Sequence, residues 1–371
     1  MSETVLITGG AGFIGSHLAD QLLWRGWQVR VLDSIDSQVH GTDTPTPSLN
    51  KDAELQVGDV RDSDALRRAL VGVDAVVHLA ARVGVGQSMY EMRSYTDVNA
   101  SGTAALLEAL MTHPVRGLVV ASSMSIYGEG RYKTPEGRVV DSCERTLAQL
   151  QEDDWEPRDV DSQLLIPVPT PEDKPPVISS VYSLSKFYQE RMCLMFGAAY
   201  QIPSVALRLF NVYGARQSLS NPYTGVLAIF ASRLLNDRPP VLFEDGNQRR
   251  DFVHVSDVAR AFVLALDNSE RAAGLALNVG SGTSVSIREL AAKLASRLGK
   301  SIEPIITRDY RIGDIRHCFA DVARAAEQIG YAPQVTLNAG LSDYVEWVAG
   351  QTTDDGVDKA AAELTSRGLT I

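Results

Sequence analysis

The chain has 371 residues, 44% of them hydrophobic and 22% charged, with a formal net charge of -11. That is enough apolar material for a main domain with a smaller lobe, and the charge supplies no basic stripe of the kind that binding a phosphate backbone requires. Three scattered cysteines, Cys143, Cys193 and Cys318, give neither a disulfide framework nor a metal knuckle and suit a reducing cytoplasm.

The amino terminus, MSETVLITGG, has no basic segment followed by a long apolar run, and no apolar stretch of about 18 residues occurs anywhere. The protein therefore reads as neither exported nor membrane-spanning. Short apolar runs then alternate with amphipathic segments: TVLIT and a helix near 12–25; WQVRVLD and ELQVGD; DAVVHLA and a helix near 92–111; GLVVASS; a helix near 183–200; SVALRLF. Alternation of this kind predicts an α/β fold, a Rossmann-type doubly wound parallel sheet, followed by a smaller C-terminal α/β substrate lobe. The expected divisions are 1–210 for the dinucleotide-binding domain, 211–350 for the lobe, exchanging segments with the first domain, and 351–371 for a polar tail that frays. Between 130 and 180 the pattern breaks: acidic residues and seven prolines, with no apolar period, predict an irregular insertion of the lid or surface-loop kind.

TVLITGGAGFIGSHLADQLL places Gly9, Gly12 and Gly15 between a strand and a helix, where a pyrophosphate can approach backbone N–H groups at the helix start. Asp33 ends the second strand 18 residues after Gly15. A carboxylate there accepts from ribose hydroxyls and repels a 2′-phosphate, which selects NAD over NADP. Asp59 in VGDVRD is placed for the adenine edge, and the small residues of HLAARVGV let backbone lie along the cofactor.

VYSLSKFYQER sets Tyr182 and Lys186 four residues apart, on one face of a helix. With the glycine turn upstream and a serine at the end of the strand GLVVASS, the pattern becomes specific. The chain resembles the extended short-chain dehydrogenases/reductases, and among them the NAD-dependent nucleotide-sugar epimerases, through TGGAGFIG, HLAA, SSMSIYG, YSLSK, LRLFNVYG, RRDFVHVSDVARA and GDIRH. VPTPEDKPP and NPYTGVLAIFASRLLN are similar to a longer-insert subgroup that includes dTDP-L-rhamnose 4-epimerases.

The resemblance implies Ser123, Tyr182 and Lys186 as the catalytic set. A phenol with a pKa of about 10 needs roughly 4 kcal/mol to become a base near neutrality; Lys186 and a positive nicotinamide ring are expected to supply it. The resemblance further implies cofactor contacts from Gly9, Gly12, Phe13, Ile14, Gly15, Asp33, Asp59, Val60, Leu79, Ala80, Ala81, Val83, Asn99, Ser122 and Phe210 as well as Tyr182 and Lys186. Substrate contacts are expected from Ser123, Ser125, Tyr182, Asn211, Arg250, Asp314 and Arg316, the arginines gripping a diphosphate. No metal is expected.

Related 4,6-dehydratases carry Asp and Glu just after the catalytic Ser/Thr, and related decarboxylases carry Glu at the second of those places. Here they are Met124 and Ser125, which cannot shuttle the proton of an elimination. Oxidation followed by its reversal remains, so the expected activity is 4-epimerisation of a uridine or thymidine nucleotide sugar by a homodimer. The alternatives are a ketoreductase of the same frame and a dinucleotide-sensing protein without turnover.

Overall fold

A computed structural model of the chain describes residues 3–41, 48–221, 223, 225–311, 314–351, 353 and 355–370. Pro222 and Thr224 of NPYTG, and Ile312 and Gly313 of RIGDIRH, lie outside the described residues, as do parts of the tail.

One parallel sheet is built from β1 (Thr4–Thr8), β2 (Gln28–Asp33), β3 (Glu54–Val57), β4 (Ala75–His78), β5 (Leu118–Ser123), β6 (Ser204–Leu209) and β7 (Ala276–Val279). Its order is β7-β6-β5-β4-β1-β2-β3. Strand order reverses between β1 and β4, so the crossovers part there and open a crevice at the carboxyl ends of the strands. The doubly wound sheet read from the sequence is present, with β7 added from the far part of the chain.

Among the helices are α1 (Phe13–Trp24), α2 (Ser63–Ala69), α3 (Gly102–Thr112), α4 (Val181–Tyr200) and, later in the chain, α5 (Val226–Leu235), α6 (Val255–Asp267), α7 (Ile287–Arg297), α8 (Leu337–Val348) and α9 (Val357–Ser366). Of these, α1, α2, α3, α4 and α6 cover the sheet, whereas α5, α7, α8 and α9 lie away from it. Side chains alternate across a strand, so Val5, Ile7, Val77, Val119 and Leu207 face one core with α1 and α6. Leu6, Val76, Val120 and Ala206 face the other with α2, α3 and α4. Burial on both faces is why these strands read as nearly continuous apolar runs. Helices α5, α7 and α8 share a separate core in the lobe. Because α6 and β7 return to the sheet from beyond residue 210, the two parts exchange chain.

Two expectations need correction. The 130–180 segment is folded: Arg131–Lys133, Val139–Val140 and Ile166–Val168 form an antiparallel sheet, and Tyr132, Trp155, Thr170 and Lys174 are buried. Strands of two or three residues are too short to display a period. The helix expected near 92–111 is present and continuous over 92–112, with a π turn Thr96–Ser101 between Met92–Tyr95 and α3. The tail expected to fray carries α9 and packs against the rest of the protein. No helix among the described residues is long and apolar enough to cross a membrane.

Candidate active site

The crevice opens into a cavity of about 1100 Å³ that extends from the glycine turn to the lobe. At its near end Gly9 has φ +70°, and an added Cβ would lie 2.7 Å from the Ala80 nitrogen, so the turn after β1 can sit against β4 only without a side chain. At Gly15 an added Cβ would meet Gly10 Cα at 2.5 Å, which keeps α1 close to the loop. Helix α1 starts at Gly12 with no side-chain cap and no acid in its first turn. Its leading amides and positive dipole end are left for an anion.

Asp33 is fixed at the end of β2 by the amides of Ala11 (3.0 Å) and Ile35 (2.9 Å) and keeps lone pairs for hydroxyl donors. Asp59 is gripped by the Arg61 fork at 2.9 and 2.6 Å, which holds its carboxyl below the usual range. Phe13, Ile14, Val60, Leu79, Ala80, Ala81, Val83, Ser122 and Phe210 line the same cavity. A cradle that any Cβ would fill, an uncapped helix start and a fixed strand-end carboxylate fit a dinucleotide.

Asn99 is the exception. It is fully buried and does not line the cavity: its carbonyl accepts from the Arg82 amide (2.7 Å), and its NH₂ donates to the Arg82 carbonyl (3.0 Å) and to Ser185 Oγ (2.9 Å). The π turn aims it inward, where it clamps the loop after β4 to α4.

At the middle of the cavity Ser180 and Ser183 cap α4 reciprocally, and one turn of that helix brings Tyr182 and Lys186 to the end of β5. Ser123, Met124, Ser125, Tyr182 and Lys186 all line the cavity. Ser123 caps the 3₁₀ turn Met124–Tyr127, its Oγ accepting from the Ser125 amide (3.2 Å) and hydroxyl (2.9 Å). The Tyr182 amide donates to Ser88 Oγ (3.0 Å), and its ring stands edge-on to Tyr95 with centroids 6.5 Å apart.

Burial raises the Tyr182 phenol above its ordinary value, with the Ser123 hydrogen bond acting the other way. Among the protein's own groups desolvation outweighs that bond, so the expected phenolate depends on the nicotinamide charge that the expectation names together with Lys186. Lys186 donates to Gln189 Oε1 (2.7 Å), and burial pulls it down to about 8. His78, enclosed by the Thr8 and Thr103 hydroxyls, is lowered to about 3 by burial and by the Lys186 charge, and is neutral. Behind this group Ser122 Oγ donates to Glu190 (2.6 Å), Glu190 binds the Arg208 fork at 2.7 and 2.9 Å, and Arg208 reaches the Tyr127 hydroxyl at 2.9 Å. These bonds fix β5, α4 and β6 relative to one another.

At the far end lie Asn211, Arg250 and Asp314. The Arg250 guanidinium is held by the carbonyls of Arg249 and Arg316 at 3.0 Å each and by that of Ile315, with Asp314 at 3.5 Å. Arg316 is not there. Only 1% exposed, it is surrounded by Glu156 (2.6 Å), Glu244 (2.8 Å) and Asp245 (2.6 Å), so its charge is spent on joining the insertion to the lobe.

Sequence reasoning missed Arg311, which lines the cavity with its guanidinium 4.0 Å from the Phe243 ring centre and no carboxylate paired to it among the described residues. The signal was available, because Arg311 opens the RIGDIRH run from which Arg316 was chosen. It also missed Gln217 and Gln248. Their side-chain oxygens, like that of Asn211, are buried without a donor and belong to residues lining this cavity.

Comparison with known proteins bears on the same residues. The profile of the NAD dependent epimerase/dehydratase family matches residues 5–146 and 162–280. A dTDP-L-rhamnose 4-epimerase of Burkholderia thailandensis is 36% identical over 94% of this chain and 95% of its own. The crystal structure of a Thermus thermophilus UDP-glucose 4-epimerase in complex with NAD superposes with TM-score 0.73 at 32% identity, covering 94% of this chain and all of the other. That of a Thermotoga maritima UDP-glucose 4-epimerase with UDP-glucose gives TM-score 0.76 at 29% identity, covering 93% and 98%.

Proposed function

Since the chain belongs to the NAD dependent epimerase/dehydratase family, we propose that it is a nucleotide-sugar 4-epimerase acting on a dTDP-6-deoxyhexose such as dTDP-L-rhamnose or on a UDP-hexose. The observation that carries the reading is the convergence of Ser123, Tyr182 and Lys186 in one cavity with the glycine turn, while Met124 and Ser125 stand where an elimination needs acids.

In this mechanism bound NAD supplies a reversible acceptor for the hydride of the sugar C4. Ser123 hydrogen-bonds the C4 oxygen and stabilises it as it becomes a carbonyl. Tyr182 Oη takes the hydroxyl proton and later returns it. Lys186, lowered to about 8 by burial, would with the cofactor's positive ring hold Tyr182 as the phenolate that accepts this proton, against the burial that opposes its charge. Arg250 and Arg311 hold the diphosphate while the sugar turns over, so either face of the ketone can be presented.

The symmetric-pair expectation belongs to the same reading. Leu184, Tyr188 and Met195 on α4 and Met111 on α3 are exposed apolar side chains on helices that cover one side of the sheet, a surface suited to a two-fold partner. A cytoplasmic location and the division into a cofactor domain and a substrate lobe complete it.

The test is a panel of UDP- and dTDP-sugars incubated with purified protein, products being separated by anion exchange. Epimer formation without added cofactor, and without solvent deuterium in the product, is expected. Stoichiometric consumption of added NADH or NADPH would identify a ketoreductase instead.

A further inference from the structure

Helix α9 spans the cavity between its two sides. Its start is tied to the lobe: buried Arg233 reaches Asp358 at 2.6 Å and Asp355 at 3.5 Å, and Arg238 pairs with the same two carboxylates at 3.0 and 3.2 Å. Its end is tied toward the cofactor side. Glu363 accepts from the Tyr223 hydroxyl (3.0 Å), the Tyr90 hydroxyl donates to Tyr223 (2.6 Å), and Arg367 stacks 4.2 Å from the Tyr90 ring centre. Beyond the helix Thr370 makes an antiparallel bridge with Arg311.

Between these anchors Ala361 and Leu364 line the cavity. Leu364 is 8% exposed and lies against Gly86, where an added Cβ would meet its Cδ2 at 3.1 Å. Gly86 belongs to the helical turn Val85–Ser88, whose last residue receives the Tyr182 amide. The apolar side of α9 is thus one short turn of chain away from the segment that carries the catalytic phenol.

Resting on the epimerase reading, we propose that α9 is the retaining wall for the ketone intermediate, with Leu364 the residue that closes it. The C4 carbinol loses a proton to Tyr182 and a hydride to the nicotinamide, leaving a ketone that must turn over before the hydride returns. Directional hydrogen bonds around the sugar would hold one face, and an open side would release it. The apolar side chain of Leu364, packed on Gly86 at the cavity lining, gives contact without direction. The ion pairs and tyrosine bridge hold that wall across both sides of the cavity, as a closing element must be held.

Escape of the ketone leaves two electrons on the protein as reduced nicotinamide, which absorbs in the near ultraviolet. With dTDP-L-rhamnose and UDP-glucose as probes, Leu364→Ala should build up that absorbance during turnover about tenfold faster than the parent, the lower end of what a methylene or two in a closed apolar pocket is worth. KM should hold, because the diphosphate end is untouched. A chain ending at Gly350 should show the same leak, more strongly. Independently of turnover, uridine or thymidine diphosphate should slow tryptic cleavage at Arg367 of the parent through the Arg311–Thr370 bridge. Parent-like absorbance and kcat in a folded Leu364→Ala overturn the proposal, as does cleavage at Arg367 that ignores both nucleotides. A parent that epimerises neither probe overturns the epimerase reading for those sugars and the retention role with it; the cleavage arm still reports whether α9 closes on a ligand.

Discussion

In the proposed mechanism two side chains set the chemistry, and desolvation acts against the charge of each. Burial raises the Tyr182 phenol and brings Lys186 down to about 8, so Tyr182 acts as the acceptor only when the charges of Lys186 and the cofactor hold it as phenolate. Replacing Tyr182 by Phe removes the proton acceptor and should lower kcat by roughly 10²–10⁴-fold, the usual worth of a positioned acid–base group, with NAD still retained on the purified protein; a smaller loss in steady-state assays would move the base elsewhere. Lys186 titrates at about 8 when folded against 10.5 in an open chain, so between those pH values the unfolded chain binds more protons and stability rises with pH. Relative to Lys186→Met, the parent should therefore gain ~3 kcal/mol across that window, at about 1.4 kcal/mol per unit. Melts of both proteins at pH 7 and pH 10 check the sign, and an unchanging gap would remove the buried ammonium from the account. The phenol and amine were legible because they stand in one helix at i, i+4. Their environment was not, since it includes residues as distant in the chain as His78, whose ring the Lys186 charge lowers.

The elements divide the arginines into two kinds of work. Arg316 joins the insertion to the lobe through three carboxylates, two of them, Glu156 and Asp245, only partly exposed and the third, Glu244, almost fully buried. Removing it leaves buried Glu244 with Arg145 alone and Glu156 with His317, so Arg316→Ala should lose about 3 kcal/mol of stability, the lower end for breaking a buried pair. Arg311 has no such duty, and Arg311→Ala should raise KM for the nucleotide sugar with little change in melting temperature. Thermal melts and steady-state kinetics on the pair separate the two roles; equal melting losses would return Arg311 to the scaffold. In the sequence both are arginines of a single short run. Only the fold of the 130–180 segment, which carries Glu156, tells them apart. Asn99 teaches the same lesson, because the bonds by which it holds the loop after β4 to α4 run to Arg82 and Ser185, far from it in the chain.

At the scale of the whole molecule the cofactor domain is not a contiguous piece of chain. β7 completes the edge of the sheet beside β6, and α6 covers α1. A fragment of residues 1–210 would expose that edge and the apolar side of α1, so no cooperative melt is expected from it by circular dichroism, whereas the full chain melts as a unit. A cooperative transition from the fragment would show that the returning segments are dispensable.

The sequence by itself determined what is local in the chain: strands buried on both faces read as apolar runs, a turn that only glycine can make marked the dinucleotide cradle, and a one-turn spacing put the phenol beside the amine. Met124 and Ser125 likewise excluded a carboxylate wherever the strand happened to end. Tertiary structure decided everything that depends on which distant residue arrives as a neighbour: the partners that neutralise Arg316, the inward turn of Asn99, the folding of a proline-rich insertion, and the placement of α9 over the catalytic end. Periodicity records a residue's own face, while ion pairing, desolvation and closure are properties of pairs brought together from far apart, and those are written only in the packed molecule.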